Sequence, residues 1–302
     1  MADQQPFHSG FVNILGKPNM GKSTLLNALV GEKMSIITAK PQTTRHRIIG
    51  ILNGDGFQIV FSDTPGYVEQ PAYKMHKMMN AYINLSFDDA DIILFITDPY
   101  ESLDDQHQLL QRIANHDSAV IGIINKKDLV SEPILAERKN ALAALLPGRD
   151  IHTVSALRAE GISALMDNIR SLLPEGPPYY PDDQLTDRTE RFFVSEIIRA
   201  NILEIYRDEI PYSCEVVVES FSEGESKSGP IIRISAVIYT LDERKKTIIL
   251  GKNGSAIKQL GTEARQEIES FVGKRVFLEL IVKVRDNWRD DETALKSFGY
   301  QN

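Results

Sequence analysis

After a polar start, the chain runs into an apolar stretch at Phe11–Leu15, and similar stretches return at Phe57–Phe61, Asp91–Thr97 and Ala119–Ile124. Each has the length of a strand. The last two are apolar almost throughout, which is the pattern of strands covered on both faces. Between them, apolar residues recur at helical spacing over Thr24–Val30, Lys74–Leu85, Asp104–Asn115 and Gly161–Leu173. Strands alternating with helices predict an α/β domain with a mostly parallel sheet. A strand at Arg47–Leu52 pairs with the one at Phe57–Phe61 as a hairpin turned by Asn53-Gly54-Asp55-Gly56. A shorter strand is expected at Asp150–Val154.

Periodicity stops at Pro174–Asp183, where four prolines and a glycine predict a semi-rigid linker. The expected organisation is a first domain over 1–174, a linker over 175–187 and a smaller α+β domain over 188–302. The second domain starts with a helix near Arg188–Arg207 whose core-facing residues are Phe192, Ile197, Ile198, Ile202 and Ile205. Strands follow at Cys214–Glu219 and at Pro230–Tyr239, the latter alternating through Ile232, Ile234, Ala236 and Ile238. Thr247–Leu250 then leads into Gly251-Lys252-Asn253-Gly254. A helix continues through Ile257, Leu260, Ala264, Ile268 and Phe271.

Composition adds little until it is divided. The 302 residues are 42% apolar and 25% charged, ordinary for a globular protein, with a net charge of −8. That net charge alone argues against a nucleic-acid partner. From Arg244 to Arg285, however, ten basic residues face four acidic ones, a balance of +6 against −14 for the rest. Cys214 is the only cysteine, which excludes an intrachain disulfide and a multi-cysteine zinc site and fits a reducing cytosol. The start has no basic-then-apolar leader, and no apolar run approaches a membrane span. The six histidines are scattered and suggest neither a metal site nor a base.

The most informative stretch is Gly16-Lys17-Pro18-Asn19-Met20-Gly21-Lys22-Ser23, between an apolar strand and a helix. G-x-x-x-x-G-K-[ST] in that setting is the phosphate-binding loop. Its glycines let the backbone curl so that N–H groups point at oxyanions, and the following helix adds its partial positive end. Lys22 would reach the β- and γ-phosphates, and the Ser23 hydroxyl would ligate magnesium. The nucleotide-binding set here is Gly16, Asn19, Gly21, Lys22, Ser23 and Thr24. Downstream, Asp63-Thr64-Pro65-Gly66 closes a strand where such proteins place a second magnesium-site residue, Asp63; taken alone it is an ordinary turn.

Two short peptides bear on the base. The strand Ala119–Ile124 ends in Asn125-Lys126-Lys127-Asp128, and the strand Asp150–Val154 ends in Ser155-Ala156. A carboxylate accepts two hydrogen bonds from guanine N1–H and its N2 amine, whereas adenine offers neither. Asp128 would therefore reject ATP. Asn125 and Lys126 would brace the loops around the base, and the Ala156 N–H would meet guanine O6.

Together, Gly16–Ser23, Gln42-Thr43-Thr44-Arg45, Asp63–Gly66, Asn125–Asp128 and Ser155-Ala156 resemble the five motifs of a small GTPase of the translation-factor-related class. The resemblance implies that Thr44, rather than Thr43, closes on magnesium and the γ-phosphate, and that the Gly66 N–H touches that phosphate. Hydrolysis would then rest on Lys22, Thr44, Asp63 and Gly66, with GTP and GDP as nucleotides and Mg2+ held by Ser23, Thr44 and Asp63. Tyr67 stands where Ras-like relatives carry a water-orienting glutamine, which implies slow intrinsic hydrolysis. Asn19 matches the asparagine that coordinates K+ in some relatives; its alternative role is to tighten the loop by local hydrogen bonds.

A G-x-x-G loop before a helix and beside strands is how a KH domain grips single-stranded RNA. Gly251, Lys252, Asn253, Gly254 and Lys258, with Arg244, Lys245 and Lys246 as a basic edge, are the candidate RNA-binding residues. Taken alone, Gly-Lys-Asn-Gly is a simple turn, and the local charge is what favours RNA. A GTPase domain followed by a linker and a KH domain resembles the Era family of bacterial ribosome-assembly GTPases. That resemblance implies recognition of the 3′ end of 16S rRNA on the small ribosomal subunit by a monomer in the cytoplasm. The family is also associated with the inner membrane surface, which no stretch of this sequence requires. The competing expectation is a nucleotide-gated protein or membrane-surface scaffold whose KH-like domain binds another protein.

Overall fold

In the computed structural model, which describes residues 6–38, 40–104, 107–226 and 229–300, the apolar runs of the first half become one six-stranded sheet. Its strands are β1 (His8–Leu15), β2 (Ile48–Gly54), β3 (Phe57–Asp63), β4 (Ile92–Thr97), β5 (Ala119–Ile124) and β6 (Asp150–Thr153), in the order β2-β3-β1-β4-β5-β6. Only β2 is antiparallel, paired with β3 so that Leu52 lies opposite Ile59. The fold is the expected P-loop α/β sheet.

Side chains on alternate residues go to opposite faces of a strand, so apolar runs need cover on both. Ile92, Leu94 and Ile96 face one core with Val12 and Ile14, covered by α1 (Lys22–Val30) and α5 (Ile162–Ser171). Ile93 and Phe95 face the other, covered by α2 (Lys74–Asp88), α3 (His107–Ala114) and α4 (Glu132–Leu145). The parallel strands all end on the same edge, so the turns after β1, β3, β4, β5 and β6 come side by side there.

The chain divides into two compact units, one of Met1–Ile37, Thr44–Gln70 and Met79–Asp187, the other of Thr38–Thr43, Pro71–Met78 and Arg188–Asn302. The stretch 175–187, expected as a semi-rigid linker, folds as part of the first unit. Gln58, fully buried at the foot of β3, accepts from the N–H of Tyr179 (2.7 Å) and Tyr180 (3.0 Å) and donates to Tyr180 O (2.8 Å). Ile51 N donates to Leu185 O at 2.8 Å. Prolines cannot donate, but the residues between them can, and the Gln58 side chain supplies the partner of Tyr179 and Tyr180.

The second unit contains α6 (Glu190–Ile205), β7 (Glu215–Ser226), β8 (Gly229–Thr240), α7 (Glu243–Leu250), α8 (Ser255–Val272), β9 (Arg275–Val284) and α9 (Glu292–Ser297). Strand β8 is central, antiparallel to β7 and parallel to β9, which is the α+β arrangement of a KH domain. Strand β7 runs on to Ser226, beyond the expected end at Glu219. A register shift at Val218/Ser220 interrupts the alternation there, and polar residues continue the pairing. On α6, Ile197, Ile198 and Ile202 are buried as expected; Phe192 and Ile205 are only half-buried, and Phe193 and Val194 are buried as well, so the covered face is wider than the expected one. Phe271 is exposed at its own site and packs its ring on Phe193. Trp288 and Tyr300 are fully buried; Trp288 Nε1 donates to Ser213 O (3.1 Å) and Tyr300 OH to Glu215 Oε2 (2.8 Å). Among the described residues no helix is long and apolar enough to cross a membrane.

Candidate functional site

The loop between β1 and α1 is closed by its own lysine. Lys22 Nζ donates to Gly16 O (3.0 Å) and Lys17 O (2.7 Å), and burial pushes its pKa down to about 8 against the opposing charge of Asp63. Gly21 adopts φ +90°, a conformation that favours glycine, and a Cβ on it would meet Asn125 Nδ2 at 2.3 Å. Thr24 is half-buried on the first turn of α1. Tyr67 N reaches Gly16 O at 3.4 Å, which lays the turn that carries Gly66 against the loop.

Three oxygens gather at the mouth of α1. Ser23 Oγ is 2.6 Å from Asp63 Oδ2 and 2.9 Å from Thr44 Oγ1, and Thr44 Oγ1 is 3.2 Å from Asp63 Oδ2. Thr43 points elsewhere, its hydroxyl bonded to Thr38 Oγ1 and Lys40 O. Asp63 is fully buried. Its second oxygen, Oδ1, has no hydrogen bond among the described residues; the Ser35 hydroxyl is near but not in hydrogen-bond geometry. Burial raises the Asp63 pKa, opposed by Ser23, Lys22, Ser35 and Thr44. A buried carboxylate with two hydroxyls and an unpartnered oxygen is a set of hard donors, which fits Mg2+. Asn19 adopts φ +64°, and its side chain is exposed.

The base loops form beside it. Asn125 Nδ2 donates to Met20 O (2.9 Å) while its Oδ1 accepts from Ala156 N (3.0 Å), so one amide ties the phosphate loop to both base peptides. The Ala156 N–H, expected at guanine O6, donates to Asn125 Oδ1 in this arrangement. The Asp128 side chain is almost covered, and the Ser155 hydroxyl, then Arg158 at 3.6 Å and Lys127, hold its carboxyl below the usual range. Asp128 is therefore ionised, as a double acceptor must be.

Sequence reasoning missed Asp98, Glu101 and Arg158. Asp98 Oδ2 holds Lys126 Nζ at 2.7 Å while its Oδ1 accepts from Tyr100 N and Glu101 N, both at 2.9 Å. Glu101 in turn holds Lys17 of the phosphate loop at 2.6 Å. The available signal was an acidic residue directly after the apolar strand Ile92–Thr97, at the end of the sheet where the ligand loops lie.

In the second unit, Gly251–Gly254 joins helix α7 to helix α8, so Thr247–Leu250 is helical. Gly251 has φ +71°, and a Cβ there would lie 2.6 Å from that of Ala256. Lys252 and Asn253 are exposed at its tip and Lys258 is exposed one turn into α8. The basic edge is less free than expected. Lys245 pairs with Asp242, which caps α7, and Lys246 pairs with Glu243 at 3.4 Å. Arg244, Lys252 and Lys258 have no ion pair among the described residues.

Two families match along the chain, one described as 50S ribosome-binding GTPase over residues 11–126 and one described as KH domain over residues 209–289. GTPase Era of Geotalea daltonii is 45% identical over 299 residues, 99% of each chain. The chain belongs to the Era GTPase family. Era GTPases hydrolyse GTP to GDP and phosphate. Two solved Era structures, each 35% identical, cover 98% of this chain and 100% of their own. One is an Aquifex aeolicus Era variant bound to GDP·AlF4⁻ (TM-score 0.90), and the other is Era in complex with MgGDPNP and nucleotides 1506–1542 of 16S ribosomal RNA (TM-score 0.87).

Proposed function

We propose that the first unit binds Mg2+ and GTP and hydrolyses it, and that the second binds the 3′ end of 16S rRNA during assembly of the small ribosomal subunit. The observation that carries the reading is the gathering of Ser23, Thr44 and Asp63 oxygens within 3.2 Å of one another, in a chain that also holds Asp128 ionised. Lys22 would neutralise the β- and γ-phosphates, Ser23, Thr44 and Asp63 would hold Mg2+, and the Gly66 N–H would face the γ-phosphate. Magnesium supplies charge neutralisation at the phosphates when bound. Asn125, Lys126, Asp128, Ser155 and Ala156 would frame guanine.

The reading extends to the loop Gly251–Gly254, whose backbone would approach RNA phosphates while Arg244, Lys252 and Lys258 add charge. It places the functional division at 187/188, with a monomer working in the cytoplasm and K+ bound by Asn19 beside the phosphates. An Era structure carrying MgGDPNP and rRNA nucleotides supports it. Contact with the inner membrane surface would be peripheral. Equal GTPase rates in K+ and Na+ buffers would remove the potassium part. The deciding experiment is binding of a single-stranded RNA with the 3′-terminal 16S sequence. Gly251→Asp and Gly254→Asp should abolish it while leaving GTP affinity intact; undiminished RNA binding would overturn the reading.

A further inference from the structure

Helix α6 carries two charged side chains where its burial calls for apolar ones. Glu196 and Arg199 are 5% and 1% exposed. Arg199 Nε donates to Glu196 Oε1 at 2.9 Å, and Nη2 donates to Glu196 Oε2. A buried pair of this kind adds little to stability over an apolar pair of the same shape, because both charges must leave water. Its position therefore asks for another use.

The remaining donors of Arg199 supply one. Nη1 donates to Gln42 O at 3.1 Å and Nη2 to Thr43 O, in the segment Thr38–Thr43 that folds with the second unit. Nearby, Lys40 Nζ donates to Tyr206 O at 2.6 Å, just past the end of α6. Gln42 adopts φ +60°, a conformation rarely held by a residue with a side chain, and the guanidinium grips the carbonyls of the two successive peptide bonds that follow, 42–43 and 43–44. Only the planar fork of arginine reaches two consecutive carbonyls and a carboxylate at once. The next residue in the chain is Thr44, whose hydroxyl stands at Ser23 and Asp63.

We propose that Arg199, oriented by Glu196, is a positioning residue for Thr44: it fixes the two peptides before the threonine and so sets the affinity for the triphosphate over the diphosphate. The inference rests on the reading of Thr44 as a magnesium and γ-phosphate residue. By thermodynamic reciprocity, a nucleotide that orders Thr44 also favours the arrangement of α6 that holds the loop, which gives the second unit a defined way to register the nucleotide.

The test measures affinity of the full chain for a fluorescent non-hydrolysable GTP analogue and for fluorescent GDP, both with Mg2+. Arg199→Lys should weaken the analogue about tenfold, the size of one lost charge-assisted hydrogen bond, with GDP affinity within about twofold of wild type. Because a lone buried charge can unfold the unit, the paired variant Arg199→Met with Glu196→Leu removes both charges, and its fold is checked by thermal melting. It should show the same selective loss. An unchanged analogue-to-GDP ratio in a folded variant overturns the proposal, as does equal weakening of both nucleotides. If wild type binds neither guanine nucleotide, the underlying reading of the site fails instead, and the two failures are distinct.

Discussion

Asp128 shows how one side chain selects a base. Its carboxylate is held ionised beside Ser155 and Arg158, so it presents two acceptors to the N1–H and N2 amine of guanine. Asp128→Asn turns one acceptor into a donor facing the amine, and should cost about 2 kcal/mol, roughly 30-fold in GTP affinity. Xanthine carries an oxygen where guanine carries that amine, so XTP should bind the variant better than it binds wild type; competition against fluorescent GDP reads both changes. Asp98 gives the pH test. Burial raises its pKa, but Lys126 and the N–H groups of Tyr100 and Glu101 outweigh that and hold it below the ordinary 3.8. A depressed carboxylate contributes stability that is present above pH 3.8 and is lost as pH falls through the lower folded value. Wild type and Asp98→Asn should therefore differ in urea midpoint at pH 6 and converge towards pH 3.

At the scale of elements, the middle of the strap 175–187, at Tyr179 and Tyr180, is held by one buried amide. Gln58→Ala removes the partners of Tyr179 N, Tyr180 N and Tyr180 O together. Amide exchange of both tyrosines should rise to near that of free chain while the amides of β1 and β4 keep their protection. That strap was illegible in the sequence because prolines erase periodicity, and the residue that organises its middle is a lone glutamine in an apolar strand. The strands and the phosphate loop were legible for the opposite reason, since burial on both faces and a curled backbone each demand particular residues at fixed spacing. The role of Arg199 was hidden by the same logic: a charge on a helix reads as a solvated face until its burial is seen. Strand β7 was read short because past Val218 its own residues are mostly polar, while backbone pairing with β8 continues to Ser226.

For the molecule as a whole, the acidic net charge and the basic stretch assign different work to different regions. Once Lys245 and Lys246 are paired with Asp242 and Glu243, the cations left around the Gly251–Gly254 loop are Arg244, Lys252 and Lys258. If Lys252 and Lys258 each meet one phosphate, Lys252→Ala and Lys258→Ala should each reduce the slope of log affinity against log salt by about 0.7. Binding should weaken evenly across RNA sequences, and Lys245→Ala should change the slope less. The strap has a consequence at this scale too. β2 is the last strand on its side of the sheet, and Leu185 and Thr186 cover its outer backbone groups. A first unit cut at residue 174 would present that row bare, as a template for another chain. It should self-associate on concentration in light scattering, whereas one cut at residue 187 should stay dispersed: here the proline-rich segment is a guard against aggregation.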